Sequence, residues 1–301
     1  MADPRSRPRE FEWPTLALIV ACHALWVVST VWLAALWLPA GMAGLTLAVT
    51  LHSSLQHEVL HGHPFRSRAL NEALVFLPVG LFYPYGRFRD LHLAHHRDET
   101  LTDPYDDPES NFLDPRVWAA LPGWRRRLLR ANNTLLGRMA LGPALGIVKI
   151  LMDDGQAILA GNRAIARDWA LHLAGLVLVG LWIAWSGVPV WAYLVSAYLG
   201  MSVLKIRTYL EHRAHEDAPG RTVVVEDRGL LAFLFLNNNL HIVHHTKPGV
   251  PWYRLPAVYA AGREEFLRRN EGYLYPSYGA IFRRHLLRAK DPVPHPLRPG
   301  N

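Results

Sequence analysis

The 301-residue sequence contains a single cysteine, Cys22, so no disulfide can form within the chain. Nothing in the cysteine usage therefore points to an oxidising compartment. Charge is also missing from two long stretches, residues 14–51 and 169–204, which hold no Asp, Glu, Lys or Arg. One membrane crossing takes about 20 apolar residues, so each stretch is long enough for two. These absences exclude an ordinary soluble enzyme and predict a polytopic membrane protein.

The uncharged stretches predict an all-α integral membrane protein with two transmembrane helical hairpins, or about four crossings. Both hairpins end in basic segments, and basic residues beside membrane spans tend to stay in the cytoplasm. We therefore expect a cytoplasmic helical cap to hold the functional residues. The predicted parts of this single domain (residues 1–301) are a cytoplasmic N-terminus (1–13), a first hairpin (14–56), a cytoplasmic or interfacial segment (57–168), a second hairpin (169–209) and a cytoplasmic C-terminal segment (210–301).

The net charge of +7 comes from residues that flank the apolar stretches. They form no separate basic domain, so we do not expect nucleic acid as a partner. Basic residues beside membrane spans favour contact with anionic membrane lipids or with an acidic electron carrier.

Histidine is the residue type that carries the chemistry. The spacing His-x-x-His-His occurs twice, from His92 and from His241, and places three imidazoles on one helix face. A His-x-x-x-His pair starts at His57, and His212 follows the second hairpin at the same expected membrane depth. Imidazole suits iron, copper, zinc and nickel, and nine ligands exceed what one ion takes, so the pattern predicts two metals between several helices. The predicted ligands are His57, His61, His92, His95, His96, His212, His241, His244 and His245.

Other polar residues lie close to these histidines in the sequence. Asn238 is the predicted contact among three consecutive asparagines, either to a metal-bound water or as a helix cap. Asp90, Asp98 and Asp103 flank the second cluster and are candidates to accept the free ring N–H of a ligand. His63, two residues after His61, points elsewhere on a helix and is left out of the ligand set.

The three clusters resemble the histidine boxes of the membrane fatty acid desaturase superfamily, which includes hydroxylases and ketolases. The stretch 247–256 is similar to the segment after the family's last box, and Glu211-His212 resembles the extra histidine element of membrane alkane hydroxylases. The resemblance covers about residues 14–256. It implies two non-haem irons, O₂ as co-substrate and oxidation of an unactivated C–H bond.

The resemblance also implies partners and a location. The sequence shows no fused cytochrome or ferredoxin domain, so we expect electrons from a separate ferredoxin, rubredoxin or cytochrome b5 type protein. The substrate is expected to be a lipid or hydrocarbon that enters from the membrane. The expected location is the bacterial inner membrane, with the active site on the cytoplasmic side.

The boxes do not choose among reactions, because desaturation, hydroxylation and ketolation share one type of iron centre. We expect first a fatty acyl desaturase of lipid metabolism. The alternative is a membrane hydroxylase, monooxygenase or ketolase acting on a hydrocarbon, isoprenoid or small molecule. The first box carries Glu58 where many desaturases carry Asp. The box therefore resembles the hydroxylase form as well as it resembles the desaturase form.

Two other classes of protein are weighed against this interpretation. The segment His57 to His61 also matches His-Glu-x-x-His, the zinc-binding motif of an intramembrane protease. That site needs only one further ligand and leaves both His-x-x-His-His clusters unexplained. A metal transporter would place its ionisable residues near the middle of the membrane, whereas these clusters lie outside the uncharged stretches.

Overall fold

The structure, a computed structural model, describes residues 11–298 and is mostly helical. Only the last three residues of the predicted N-terminal segment (1–13) therefore lie within the described part. The chain forms two compact units: unit 1 comprises residues 1–89 and 143–204, and unit 2 comprises residues 90–142 and 205–301.

The described helices vary from five to about 25 residues in length. In chain order they are α1 (Trp13–Leu36), α2 (Leu38–Leu60), α3 (Arg68–Leu74), α4 (Tyr85–His95), α5 (Pro115–Ala120), α6 (Gly123–Asn132), α7 (Leu135–Leu159), α8 (Arg163–Ser186), α9 (Val190–Thr208), α10 (Leu230–Leu234), α11 (His241–Thr246), α12 (Leu255–Arg269) and α13 (Tyr278–His285). Two short strands, β1 (Val224–Val225) and β2 (Leu274–Tyr275), pair in parallel. Residues of α4, α7 and α9 belong to both units.

Four described helices are long and apolar enough to cross a membrane: α1, α2, α7 and α8. The count agrees with the prediction, but the membership differs. Helix α7 lies in the segment predicted to be cytoplasmic or interfacial, where Lys149 and Asp153 interrupt the apolar pattern. Helix α9, the predicted fourth crossing, carries Lys205 and Arg207 in its last turn and is not among the four. The pairing of crossings into hairpins and the position of the cap stay predictions.

The turn between α1 and α2 depends on a close backbone approach. Trp37 is extended and ends α1, and Pro39 in the first turn of α2 has the φ angle that a helix start requires. A Cβ added to Gly41 would lie 2.6 Å from the backbone of Ala34, so only glycine fits there without displacing the chain. The two apolar helices can therefore pack immediately next to their connection.

The core of unit 1 contains a chain of hydrogen bonds between buried polar groups. Trp26 donates from its indole Nε1 to the Tyr193 hydroxyl at 2.9 Å, and that hydroxyl donates to the Val79 carbonyl at 3.0 Å. Tyr193 is fully buried among apolar side chains. An unpaired polar group in an apolar interior is costly, so this chain of bonds fixes α1 and α9 against the segment that contains Val79.

Unit 2 contains a smaller apolar core around the last histidine cluster. Ile242 and Val243 of α11 pack with Val224 of β1 and with Leu255 and Tyr259 of α12. The C-terminal tail, residues 286–298, runs along the same unit. The carbonyl of Leu286 accepts from the Leu136 N–H, and Leu113 exchanges backbone bonds with residues 293 and 295.

We predict that Tyr193→Phe destabilises the protein by about 1–3 kcal/mol, because it leaves the Trp26 N–H and the Val79 carbonyl without their partner. Thermal unfolding of the purified protein in detergent measures the change. Trp191→Phe on the same helix is the control, since Trp191 is largely exposed. An unchanged unfolding midpoint for Tyr193→Phe would contradict this account of the core.

Candidate metal centre

Seven of the nine predicted ligands lie in unit 2, where their ring nitrogens converge in two groups. In the first group, the Nε2 atom of His96 lies 3.0 Å from the Nε2 atoms of both His92 and His244. Helix α4 and the residue that follows it supply two members of this group, and α11 supplies the third. Their ligand atoms lie within 4.8 Å of one another, close enough to share one ion.

The second group contains four histidines from three parts of the chain. The Nε2 atom of His212 lies 2.9 Å from that of His95 and 3.1 Å from that of His241. His245 completes the group, and all four ligand atoms lie within 4.8 Å of one another. His212 belongs to no helix and follows α9 in an irregular segment.

The two groups adjoin each other. The rings of His96 and His245, one from each group, stack with their centroids 4.4 Å apart. The i, i+3, i+4 spacing produces this alternation, because one helix presents its histidines to both groups. Imidazole nitrogens gathered in two neighbouring sets fit two metal ions better than one.

The first box lies in unit 1, at the end of α2. His57 is buried in the last turn, and His61 follows as the capping residue. Their ring centroids are 4.9 Å apart, as expected for side chains one helical turn apart. Their role as ligands stays a prediction. His63, which was not among the predicted ligands, donates from Nδ1 to the Glu12 carboxylate at 2.9 Å.

Three of the unit 2 histidines are held at Nδ1 by an oxygen acceptor. His95 contacts Asp107 at 2.7 Å, His92 contacts Glu109 at 3.0 Å, and His241 contacts the amide oxygen of Asn238 at 3.1 Å. An oxygen acceptor assigns the proton to Nδ1 and leaves the Nε2 lone pair for a metal. This outer contact is typical of ligating histidines, so the donor set fits a metal centre.

The electrostatic environment differs among these imidazoles. Burial lowers the pKa of His212 and of His241 well below the ordinary value, aided by their histidine neighbours. Both rings are therefore neutral at pH 7, the form that binds metals. Burial also acts on His95, but the Glu109 and Asp107 carboxylates outweigh it and raise the pKa of His95 to about 9. Metal binding at His95 must then displace a proton.

The acidic partners that the structure shows are residues that the sequence did not single out. Asp103 pairs with Arg298 of the tail, Asp90 is exposed, and the side chain of Asp98 lies outside the described part. The actual partners, Asp107 and Glu109, follow 11 or more residues after the second box in a loop. Sequence spacing could not reveal them, because a loop sets their position.

The three consecutive asparagines have separate roles. Asn237 adopts a left-handed conformation, which Asn tolerates, and turns the chain after α10. Asn239 donates to the Val225 carbonyl of β1 at 2.6 Å. Asn238 contacts the His241 ring, so the structure gives it an orienting contact, while direct contact with a bound group stays a prediction.

The chain also matches a known protein family. The sequence model of the fatty acid desaturase family matches residues 30–277. The chain belongs to the fatty acid desaturase family. This membership confirms the resemblance drawn from the histidine boxes and accounts for most of the chain.

Two characterised proteins that are similar to this chain are β-carotene ketolases. One, from Paracoccus sp. (strain N81106 / MBIC 01143), is 25% identical over 264 residues, covering 81% of this chain and 88% of the relative. The other, from Paracoccus sp. (strain PC1), is 25% identical over 236 residues, covering 73% and 78%. The family and these relatives indicate an oxidoreductase.

We predict that His241→Ala lowers the metal bound per chain by about one ion, because it removes one of four nitrogens from the second group. Elemental analysis of the purified protein measures the loss. His215→Ala is the matched control, since His215 is partly exposed and contacts Glu271 outside both groups. A His241→Ala protein that retains its full metal content would show that this group is not a ligand set.

Proposed function

We propose that this chain is an O₂-dependent non-haem di-iron oxidoreductase whose nine predicted histidines hold the two irons. The convergence of seven imidazoles in two adjoining groups is the observation that carries the proposal. Enzymes of this family are di-iron enzymes, which supports iron over other metals. His57 and His61 join the set on the strength of their box motif. The bound irons would supply O₂ activation and the oxidising power for an unactivated C–H bond.

The protein's own residues would contribute position and shielding. Asp107, Glu109 and Asn238 would fix a proton on Nδ1 of three ligands, so Nε2 is the atom that each ring offers to a metal, in His95 after its second proton has left. His95 and His241 are almost completely buried, which supports a site from which bulk water is excluded.

The reaction we favour is ketolation, in which a CH₂ group of a carotene-like isoprenoid becomes C=O. The sequence alone favours fatty acyl desaturation and leaves ketolation among the alternatives. Two ketolase relatives that align over most of their own length shift that order. Desaturation remains the second candidate, because the family is named for it. A zinc protease would leave at least one of the two histidine groups without a role.

A cavity in unit 1 has the size and lining for one end of such a substrate. Its volume is about 770 Å³, within the range of about 300–1,000 Å³ that is usual for ligand pockets. Phe76, Pro78 and Leu171 form an apolar part of its wall, and Ala69 and Ala73 of α3 leave it wide. Charged residues of α3, α4 and α8 also line it. We propose that this cavity receives the apolar end group of the substrate.

The remaining partners and the location are also proposals. Electrons would come from a separate ferredoxin, rubredoxin or cytochrome b5 type protein. The exposed arginines of α6 support contact with an acidic surface, whether that of a carrier or of anionic membrane lipids. Four apolar helices support a membrane protein, and we place it in a bacterial inner membrane with its metal centre on the cytoplasmic side.

We predict that cells producing β-carotene, a ferredoxin and this protein accumulate a ketone derivative. A ketone gains an oxygen and loses two hydrogens, an alcohol only gains an oxygen, and a desaturated product only loses hydrogens, so mass spectrometry separates the three. Cells expressing the His241→Ala variant are the control. New unsaturated fatty acids with unchanged β-carotene would overturn ketolation in favour of desaturation.

We predict that Ala73→Trp raises the KM for the isoprenoid about tenfold or more, because the indole fills the proposed substrate cavity. Steady-state kinetics in detergent measures the change, and the metal content should stay that of the wild type. Leu70→Trp is the matched control, since Leu70 lies on the same helix and is exposed like Ala73, but does not line the cavity. Equal KM values for both variants would refute the assignment of the cavity.

A further inference from the structure

His212 is held differently from the other members of its group. His95 and His241 each have an oxygen acceptor at Nδ1, whereas the buried Nδ1 atom of His212 has no hydrogen-bond partner among the described residues. His212 also lies outside any helix and pairs only through an isolated bridge with Thr222. The position of its backbone therefore determines where its ring can reach.

The backbone of His212 is held by Lys290. The ammonium Nζ of Lys290 donates to the His212 carbonyl at 2.5 Å. Its remaining contacts are the Asp291 carboxylate at 2.6 Å and the Tyr273 hydroxyl at 3.3 Å. A buried ammonium needs acceptors for its three N–H groups, and these three oxygens supply them. The Lys290 side chain, 10% exposed, is consequently fixed in one place.

The segment that carries Lys290 is itself anchored on both sides. Before Lys290, the Leu286 carbonyl accepts from the Leu136 N–H at 3.0 Å. After it, the Val293 carbonyl accepts from the Leu113 N–H at 2.9 Å, and the His295 N–H donates to the Leu113 carbonyl at 2.8 Å. Lys290 is thus attached to a fixed part of the tail.

We propose that Lys290 is a positioning residue for the metal centre. By holding the carbonyl of His212, it directs the Nε2 atom of that ring to within 3.1 Å of the Nε2 atoms of His95 and His241. This backbone contact positions His212, which has no oxygen acceptor at Nδ1 to orient its ring. The inference rests on the proposed di-iron function and adds a residue that touches neither metal nor substrate.

The test is Lys290→Met in the full-length chain, which keeps side-chain length and removes the donor. Wild type and variant are loaded with ⁵⁷Fe, and iron affinity and Mössbauer spectra are measured. We expect about 10–100-fold weaker binding of one iron and an altered signal for that iron, with the other iron unchanged. Lys290→Arg, which retains a cationic donor, should restore binding.

Lys149→Met is the matched control, because the Lys149 side chain is 69% exposed and pairs only with Asp153 on the same helix. If Lys290→Met does not accumulate in membranes, Lys290→Gln, which keeps a neutral donor, is titrated instead and should weaken the same iron less strongly. If Lys290→Met binds both irons with wild-type affinity and gives the wild-type spectrum, this inference is overturned and the proposed function is not. Equal loss of both irons without rescue by arginine would also overturn it. A wild-type protein that binds no iron would overturn the proposed function itself.

Discussion

The proposed metal centre depends on oxygen acceptors that fix the protonation of its imidazoles. A neutral imidazole has one lone pair, and the hydrogen bond at the other nitrogen decides which atom offers it. Asp107 shows how closely this is tied to local folding. The same carboxylate that contacts His95 also accepts from the backbone N–H groups of Thr102 and Glu109. The loop therefore folds around the Asp107 carboxylate that orients the His95 ring, so the folding of the loop also sets the orientation of that ring.

A second constraint is the supply of polar partners in an apolar interior. In unit 1 the bonds that link Trp26, Tyr193 and Val79 join three separate segments at a place where water is excluded. The Thr50 hydroxyl also lies 3.2 Å from the Gly200 carbonyl of another helix, although the Thr46 carbonyl of its own helix is nearer, at 2.9 Å. Hydrogen bonds between separate segments favour one packing arrangement. In unit 1, a few hydrogen bonds thus specify the packing of the helices more strictly than apolar contacts alone would.

Local spacing made the clustering of the histidines predictable from the sequence, whereas the residues that hold them in place were not predictable. The i, i+3, i+4 pattern from His92 and from His241 is a property of a single helix, so no tertiary information was needed. Asp107, Glu109 and Lys290 reach the histidines through loops and the tail, whose paths no periodicity encodes. His212 was found only because it follows an apolar stretch.

The membrane helices show the same limit. Charge-free stretches identified α1, α2 and α8, but α7 was missed because Lys149 and Asp153 interrupt it, although these two exposed side chains pair with each other one turn apart. Helix α9 was expected to be a crossing because its first part is free of charge. Sequence composition gives only the number of charged residues, whereas helix geometry determines which charged side chains lie close enough to pair.

The order of synthesis adds a condition to assembly of the second histidine group. Lys290 is translated after every predicted ligand, and 78 residues separate it from His212. Until that part of the chain has left the ribosome, the His212 carbonyl lacks its ammonium partner while the membrane helices and all three boxes are already made. Metal captured before that moment would meet an incompletely ordered site, so the proposed centre can mature only after Lys290 has been translated.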